Sequence, residues 1–405
     1  MLTIIHGKIK TMTGVDYEDG FIRIDKGKIT AIGNMSDCPE YENENNDRHS
    51  ADVNDNDTSV INAQGNLVMP GIIEAHCHMG ITEEKKGMEG DDCNENVDPI
   101  TPYLRAVDAI NPMDAAFDDA LRAGITSAMV GPGSSNVVGG QFVFIKTHGR
   151  CIDNMIVKAP AAMKIAFGEN PKVNFSGKDV SPATRMAIAA MLRQELFDAK
   201  TYQNKRKNNQ CEMDFRYECW LPVLEGKIPL KAHVHRADDI LTAIRIAKEY
   251  GLSMTLDHCS EGHLIADEIK ESGFPAIVGP DMASRNKIEV QNMAFKTAGI
   301  LSQAGIRVAI TTDHPVSMIQ FLPICAGLAV KSGLSADEGL RAITINPAVI
   351  CGVDDRVGSL EVGKDGDISI FDGNPMEVFT RALCTIIEGK IVYTDESFYG
   401  RIDKD

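Results

Sequence analysis

The sequence predicts an α/β protein: a (β/α)8 TIM barrel with a small composite β-sandwich domain formed by both ends of the chain. Between about residues 68 and 350, short apolar segments alternate with amphipathic helical ones, which is typical of repeated βα units. Short strands separated by turns lie before this region and after it, and neither set could bury its hydrophobic face alone. The predicted domains are therefore 1–67 with 352–396 for the β-sandwich and 68–351 for the barrel.

Helix boundaries inside the repeating region support the barrel. Asn111-Pro112 offers an N-cap followed by proline at the first helical position, and Gly124 suits the left-handed residue that often follows a helix. The segment Ala237–Tyr250 carries its apolar residues on one helical face. A doubly wound open sheet is the alternative, but no GxGxxG follows the first strand of the repeating region.

Composition narrows the class of protein and its partners. The chain has 405 residues and a net charge of −17, which argues against nucleic acid or an anionic membrane as a partner. It has neither an apolar signal segment nor an uninterrupted apolar run of about 18 residues. Its ten cysteines form no CxxC pair and are expected to be free thiols. We therefore expect a cytoplasmic protein, with a solvated polar loop at 38–58.

Polar side chains stand at the ends of several predicted barrel strands. In the stretch VMPGIIEAHCHMG (68–80), His76 and His78 lie two residues apart and so share one face of a strand, as the ligands of a transition metal could. A lone HxH pair is weak, but catalytic groups of such barrels come from the carboxyl ends of different strands. Buried polar groups without partners are costly, so five such strand ends are hard to explain by core packing. The further residues of this kind are Lys164, His233, His235, His258 and Asp313.

This set of residues resembles the amidohydrolase superfamily over nearly the whole chain. The likeness lies in the HxH of the first barrel strand, single histidines at the fifth and sixth, an aspartate at the eighth, and the split β-domain. It includes the stretches PGIIEAHCH and ITINPAVICGVDDRVGSLEVGKDGD. Within the superfamily, the chain looks most like the imidazolonepropionase-related and prolidase-like branch.

The resemblance implies roles for individual residues. His76, His78 and Asp313 would bind a first metal, and His233 and His258 a second one or the rest of a mononuclear site. Lys164 matches a lysine that is carboxylated to bridge two metals, and a lysine paired with a carboxylate is the alternative. The fifth-strand ligand could be either His233 or His235, with His233 favoured and His235 contacting substrate. Asp313, as a ligand able to contact the metal-bound water, would be the catalytic proton carrier. Glu261 and His314 are expected to point toward the same rim of the barrel, which makes them candidates for orienting substrate or ligands.

The implied function is hydrolysis of a C–N bond in a small cyclic or linear amide by a metal-activated hydroxide, with one or two Zn²⁺ or similar divalent ions. Imidazolonepropionase, an Xaa-Pro-type dipeptidase and a deaminase are the enzymatic alternatives, although Asp238 only half fits the HxxE of deaminases. A non-catalytic assembly protein on the same fold is the rival from another class, and it would have lost metal ligands. The split β-domain leaves surface that could mediate a homo-oligomer.

Overall fold

The computed structural model describes residues 1–38, 59–84 and 87–404. The predicted polar loop at 38–58 therefore lies, except for Cys38, outside the described residues. The strands form two sheets, one of nine strands and one of eight. In chain order they are β1 (Leu2–Ile9), β2 (Tyr17–Asp25), β3 (Lys28–Asn34), β4 (Ser59–Asn62), β5 (Leu67–Pro70), β6 (Ile72–Cys77), β7 (Ile125–Val130), β8 (Val138–Lys146), β9 (Ile156–Ala166), β10 (Leu230–Val234), β11 (Met254–His258), β12 (Ala276–Val278), β13 (Val308–Ile310), β14 (Ile368–Phe371), β15 (Ala382–Ile387), β16 (Lys390–Thr394) and β17 (Ile402–Lys404).

Strands β6 to β13 form the predicted barrel, in sequential order around an eight-stranded sheet. The two edge strands approach each other, because the backbone N–H of His78 donates to the carbonyl of His314 at 2.8 Å. The hydroxyl of Thr311 also donates to the carbonyl of His76 at 2.6 Å. The barrel is thus nearly closed, and the predicted fold class is confirmed.

One strand departs from the regular (β/α)8 pattern. Strand β8 runs antiparallel to both β7 and β9, so two hairpins replace two βα units. The connections at 131–137 and 147–155 are too short for a helical crossover, which takes about a dozen residues or more. As a consequence, β8 starts beside the carboxyl ends of its neighbours and finishes at the opposite end of the barrel.

Helices cover the outside of the barrel. The first begins at Ala115 rather than at the predicted Pro112, because Asn111 accepts a hydrogen bond from the N–H of Met113 in a preceding turn, and Asp114 takes the N-cap position. None of the helices in the described ranges is both long and apolar enough to cross a membrane. The helices are α1 (Ala115–Arg122), α2 (Glu169–Ser176), α3 (Arg185–Lys207), α4 (Phe215–Glu218), α5 (Leu221–Leu224), α6 (Ala237–Tyr250), α7 (Ala266–Ser272), α8 (Lys296–Gln303), α9 (Leu322–Lys331), α10 (Ala336–Arg341) and α11 (Ile345–Cys351).

The second sheet combines strands from both ends of the described chain, as predicted. Its order is β16-β15-β14-β5-β1-β2-β3, and β4 pairs with both β1 and β17. The sheet forks at β1, which pairs with β4 along its first half and with β5 along its second half. Side chains from β1, β2, β4, β5, β14 and β15 bury one shared apolar core. The composite domain is thus one forked sheet closed over its own core.

The predicted domain boundaries stay a prediction. Two strands of the composite sheet lie at least partly outside the ranges predicted for that domain. Strand β5 belongs to the composite sheet although 68–70 falls in the predicted barrel segment, and β17 lies beyond the predicted end at residue 396. The two domains are tied together by the buried Lys146 at the end of β8. Its ammonium group contacts Asp365 at 2.8 Å and Asp367 at 2.5 Å, just before β14.

Candidate metal centre

Five histidines and one aspartate converge at the carboxyl ends of the barrel strands. The ring of His258 lies at the centre of the group, with ring-centroid distances of 4.5 Å to His233, 4.8 Å to His235 and 5.0 Å to His76. Two sets of three residues place their ligand atoms within 4.8 Å of one another. These sets are His233, His235 and His258, and His76, His258 and Asp313.

Four of the five imidazoles share one orientation. In each, Nδ1 is hydrogen-bonded to an oxygen of the surrounding protein, which leaves Nε2 as the nitrogen available to a ligand. Such bonds fix the tautomer and the ring orientation of metal-binding histidines. The Nδ1 distances are 2.8 Å from His76 to Asp257 Oδ2, 2.7 Å from His78 to the Gly131 carbonyl, 2.8 Å from His235 to Ser260 Oγ and 2.8 Å from His258 to the Gly279 carbonyl.

Burial keeps most of these imidazoles neutral, as a ligand must be. It lowers the pKa of His76, His233 and His258 well below the usual value, and nearby cationic or imidazole groups lower it further. His78 differs. Burial also lowers its pKa, but the thiol of Cys93 and the carboxylate of Asp313 outweigh that effect and raise the pKa to about 10. A cation that binds His78 therefore has to displace a proton.

Asp313 supplies the carboxylate of the group. Its Oδ1 lies 3.2 Å from Nε2 of His78 and 3.6 Å from Nε2 of His76, yet it is buried without a hydrogen bond. Burial would raise the pKa of Asp313, but the imidazoles of His258 and His78 together lower it, so the side chain is an anion. The residue also has a left-handed backbone, with φ of 52°, a conformation that tends to occur at functional sites.

This donor set fits a divalent transition metal. An anionic oxygen without a hydrogen bond, beside imidazoles of which most are neutral, matches the nitrogen and oxygen ligands that Zn²⁺ and related ions take. Leaving a buried anionic oxygen without a partner is energetically unfavourable, so a bound cation would account for it. The predicted residues His76, His78, His258 and Asp313 are therefore brought together, with His233 and His235 on the adjoining strand.

Lys164 lies in the same cluster, on β9. Its ammonium nitrogen is fully buried, 3.3 Å from Nε2 of His76 and 5.6 Å from the ring centre of Phe142. Among the described residues it has no carboxylate within 4.0 Å, which argues against the alternative of a carboxylate-paired lysine. Burial is the main cause that lowers the pKa of Lys164 to about 8. The fraction of neutral amine near neutral pH is therefore much larger than for an ordinary lysine, although the ammonium form still predominates at pH 7.

The lysine that does pair with a carboxylate is Lys231, which sequence reasoning missed. It is buried in the barrel, with Nζ 3.2 Å from Asp257 Oδ2 and 3.1 Å from the Ala75 carbonyl. Asp257 in turn holds Nδ1 of His76. The signal was present in LKAHVH, where Lys231 and His233 share a strand face. For Asp257 the sequence pattern was misleading. Strand alternation would place Asp257 and His258 on opposite faces, but the left-handed backbone of His258 (φ 72°) breaks that alternation.

Glu74 is a second buried carboxylate that sequence reasoning missed. It accepts hydrogen bonds from the N–H of His76 at 3.1 Å and from the N–H and hydroxyl of Thr312 at 2.9 and 2.7 Å. These bonds join the first barrel strand to the segment after the eighth. Glu74 therefore fixes His76 and Asp313 relative to each other.

Two predicted substrate contacts do not face the cavity and need correction. Glu261 accepts hydrogen bonds through both carboxylate oxygens, from the N–H of Ala237 at 2.8 Å and from Asn292 Nδ2 at 2.8 Å. Its role is to hold the start of α6 and the adjoining loop. His314 is fully buried, and its Nδ1 accepts a hydrogen bond from the N–H of Ile319 at 3.2 Å. The positions of Glu261 and His314 after strand ends correctly predicted that they lie at this rim of the barrel. They did not predict the directions in which the two side chains point.

A cavity of about 830 Å³ opens above the cluster. Its floor contains His78, His233, His235 and Asp313, so His235 faces the cavity as predicted for a substrate contact. Polar side chains from the segments after β6, β7, β9 and β12 form much of the wall. Those used below are Asp91, Asn170, Lys287 and Glu289.

Buried His314 should make stability depend on pH. Burial lowers its folded pKa to about 4, against about 6.5 in an unfolded chain. Between these values only the unfolded state binds the proton, so the free energy of unfolding should fall as pH decreases from about 6.5 towards 4. One such proton is worth up to about 1.4 kcal/mol per pH unit.

The test is the pH dependence of urea unfolding of metal-free protein between about pH 4.5 and 7.5. His314→Asn keeps an acceptor for Ile319 but cannot titrate, so its slope between pH 5 and 6 should be smaller by up to one proton. The exposed His148 offers a control, and His148→Asn should leave the slope unchanged. Equal slopes for wild type and His314→Asn would contradict the prediction.

Comparison with known proteins identifies the family. The crystal structure of an amidohydrolase from Thermotoga maritima MSB8 is 34% identical in sequence and has a TM-score of 0.90, and the alignment covers 98% of this chain and 100% of that one. The chain belongs to the amidohydrolase family. The predicted resemblance and the predicted class of hydrolases acting on C–N bonds are thereby confirmed. The model of the family described as "Amidohydrolase family" matches residues 224–392 of this amidohydrolase.

More distant relatives cover similar parts of this amidohydrolase. Amidohydrolase tasK of Hapsidospora irregularis is 25% identical over 93% of the chain, which spans only 40% of the length of tasK. The imidazolonepropionase of Fusobacterium nucleatum subsp. nucleatum is 23% identical over 92% of the chain and 90% of its own length. Similarity at this level extends across both domains.

Proposed function

We propose that this amidohydrolase hydrolyses a C–N bond of a small cyclic or linear amide, using one or two divalent cations, with Zn²⁺ as the preferred ion. The observation that carries the proposal is the buried, anionic Oδ1 of Asp313 among imidazoles at the floor of the cavity, most of which are neutral. The proposed ligands are His76, His78, Lys164, His233, His258 and Asp313.

When bound, the cation lowers the pKa of a water molecule towards about 7 and polarises the substrate carbonyl. Asp313 would accept a proton from the attacking water and pass it to the leaving nitrogen, since its carboxylate is anionic and faces the cavity. His235, whose Nδ1 is held by Ser260, presents Nε2 to the substrate as a hydrogen-bonding group. The imidazoles and Lys164 exclude bulk water from the floor, because all of them are buried.

Lys164 is proposed to act as a carbamate. Carbon dioxide adds to a neutral amine, forming an N–C bond with loss of one amine proton, and the product is a carboxylate placed beside His76. A buried lysine without a carboxylate partner and with a lowered pKa is suited to this reaction. An ordinary cationic lysine would repel a metal ion, so the carbamate is the form that lets Lys164 serve as a ligand.

The deaminase alternative loses support from the position of Asp238. Its carboxylate contacts Arg185 at 2.5 Å and Arg236 at 3.0 Å on the outer surface of the barrel, so it does not stand in for the glutamate of an HxxE motif. A relative named imidazolonepropionase keeps that activity as the second candidate.

We also propose a cytoplasmic location, since all ten cysteines are free thiols. A homo-oligomer and the absence of nucleic-acid binding stay predictions.

Removal of metal tests the proposed function. Purified protein should contain about one to two zinc-type ions per chain by elemental analysis, and should hydrolyse at least one member of a panel of lactams, N-acyl amino acids and dipeptides. Dialysis against a chelator should abolish hydrolysis, because no water can then be activated, and added Zn²⁺ should restore it. Hydrolysis that persists in metal-free protein, or a failure to bind zinc, would refute the proposal.

A further inference from the structure

His233 differs from the other four imidazoles in which ring nitrogen contacts the surrounding protein: it is Nε2 rather than Nδ1. Its Nε2 lies 3.3 Å from Asn170 Nδ2 and 3.9 Å from Glu289 Oε1. Its Nδ1 has no hydrogen bond among the described residues. Of its two ring nitrogens, Nδ1 is therefore the one left for a cation. A neutral imidazole carries one proton, so Nε2 must hold that proton whenever Nδ1 offers its lone pair to a cation.

A protonated Nε2 needs an acceptor, and Asn170 does not supply one. Its amide nitrogen faces His233 and Ser134 Oγ, while its amide oxygen accepts a short hydrogen bond from the ammonium group of Lys287. Turning the amide over would place its NH₂ group against the ammonium of Lys287, donor against donor. Asn170 therefore donates to Nε2 only while that nitrogen is unprotonated, and a cation at Nδ1, which moves the proton to Nε2, ends this contact.

Glu289 has the acceptor that is required. Its Oε2 accepts a hydrogen bond from the N–H of Glu169 at 2.8 Å, and Gly168 packs so closely that an added Cβ would lie 2.8 Å from the same oxygen. The side chain is thus fixed and is only 2% exposed. Its other oxygen, Oε1, is buried and makes no hydrogen bond, although Lys287 Nζ lies 3.7 Å away.

We propose that Glu289 is the positioning carboxylate of His233: when Nδ1 binds a metal ion, a small turn of the ring brings the protonated Nε2 from 3.9 Å to hydrogen-bond distance of Oε1, which accepts its proton. This inference rests on the proposed function, because it requires a metal at His233. It accounts for the unpartnered Oε1, which gains its partner on metal binding. Partners of this kind orient the ring and raise the basicity of the ligand, and their loss typically weakens metal binding about 10- to 100-fold.

The test is the metal affinity of Glu289→Gln, measured by competition with a chromogenic zinc chelator and by elemental analysis. Glutamine keeps the size of the side chain and one acceptor, so it can satisfy either Glu169 or His233 but not both. Zinc affinity at the His233 position should fall about 10- to 100-fold. The urea midpoint of the metal-free variant reports any structural effect separately, and we expect it to stay close to that of wild type.

Two controls separate the contacts of Glu289. Asp91→Asn removes the same charge from an exposed position on the same cavity and should leave zinc affinity within about threefold of wild type. Lys287→Met removes the competing cation and should do the same. Equal zinc affinity in wild type and Glu289→Gln would overturn the inference while the proposed function stands. An equal loss in Lys287→Met would also overturn it, by showing that Glu289 acts through the lysine. Absence of zinc binding in wild type would instead defeat the proposed function, and the inference with it.

Discussion

Asp313→Asn should lower kcat/KM about 10²- to 10⁴-fold, which is the usual contribution of a positioned proton carrier. Asparagine is nearly isosteric and keeps an oxygen near His76 and His78, but it cannot take a proton from water at neutral pH. The loss corresponds to about 3 to 5 kcal/mol of transition-state stabilisation. It should appear in kcat as well as in kcat/KM, because the proton moves only in the transition state.

The measurement uses zinc-saturated protein and a substrate hydrolysed by wild type. Metal content is determined on the same samples, so that loss of zinc is not mistaken for loss of proton transfer. The exposed Asp355 offers a matched control on the far side of the protein, and Asp355→Asn should keep kcat/KM within about twofold. A decrease of less than tenfold in Asp313→Asn, at full metal content, would contradict the proposed role of Asp313.

Lys164→Ala should reduce the metal content from about two ions per chain to one or fewer. The variant cannot form a carbamate, so it would lack one carboxylate ligand of the proposed metal site. Metal-free wild type should regain its full metal content only when bicarbonate accompanies the zinc, since the carbamate has to form from carbon dioxide. Elemental analysis with and without bicarbonate measures both effects.

Lys158→Met provides the control for a change on the same strand, because Lys158 lies near the start of β9 and donates to the carbonyls of Cys351 and Gly352, away from the cluster. Its metal content and bicarbonate dependence should match those of wild type. Two ions per chain in Lys164→Ala would refute the carbamate. One ion per chain in both proteins, independent of bicarbonate, would indicate a mononuclear site.

The sequence was sufficient for the barrel because the apolar segments recur at the spacing of βα units. It did not predict the direction of β8, since the apolar pattern of Val138–Lys146 reads the same for a parallel and an antiparallel strand. Only the lengths of its two connections determine that direction. The forked sheet was likewise predicted as a composite domain, but its pairing depends on contacts between distant segments.

The site divides in a similar way. His76, His78, His258 and Asp313 could be predicted because polar residues at the ends of apolar strands meet in a barrel. Glu289 could not, because it lies in a loop after β12, where no periodicity relates it to His233. Glu261 and His314 were assigned to the substrate on position alone, and their hydrogen bonds to the backbone of other segments set their true orientation.

The forked sheet also constrains the order in which the protein can fold. Pro70 in β5 pairs with Ile368 in β14, almost 300 residues later in the chain, whereas β7, β8 and β9 are joined by short hairpins. Local hairpins close quickly, and pairings between distant segments are slow. During synthesis, the edge of β5 that pairs with β14 therefore stays unpaired until β14 has been made. An exposed strand edge of this kind promotes aggregation. Newly made chains should depend most on chaperones in this interval, before the last strands complete the sheet.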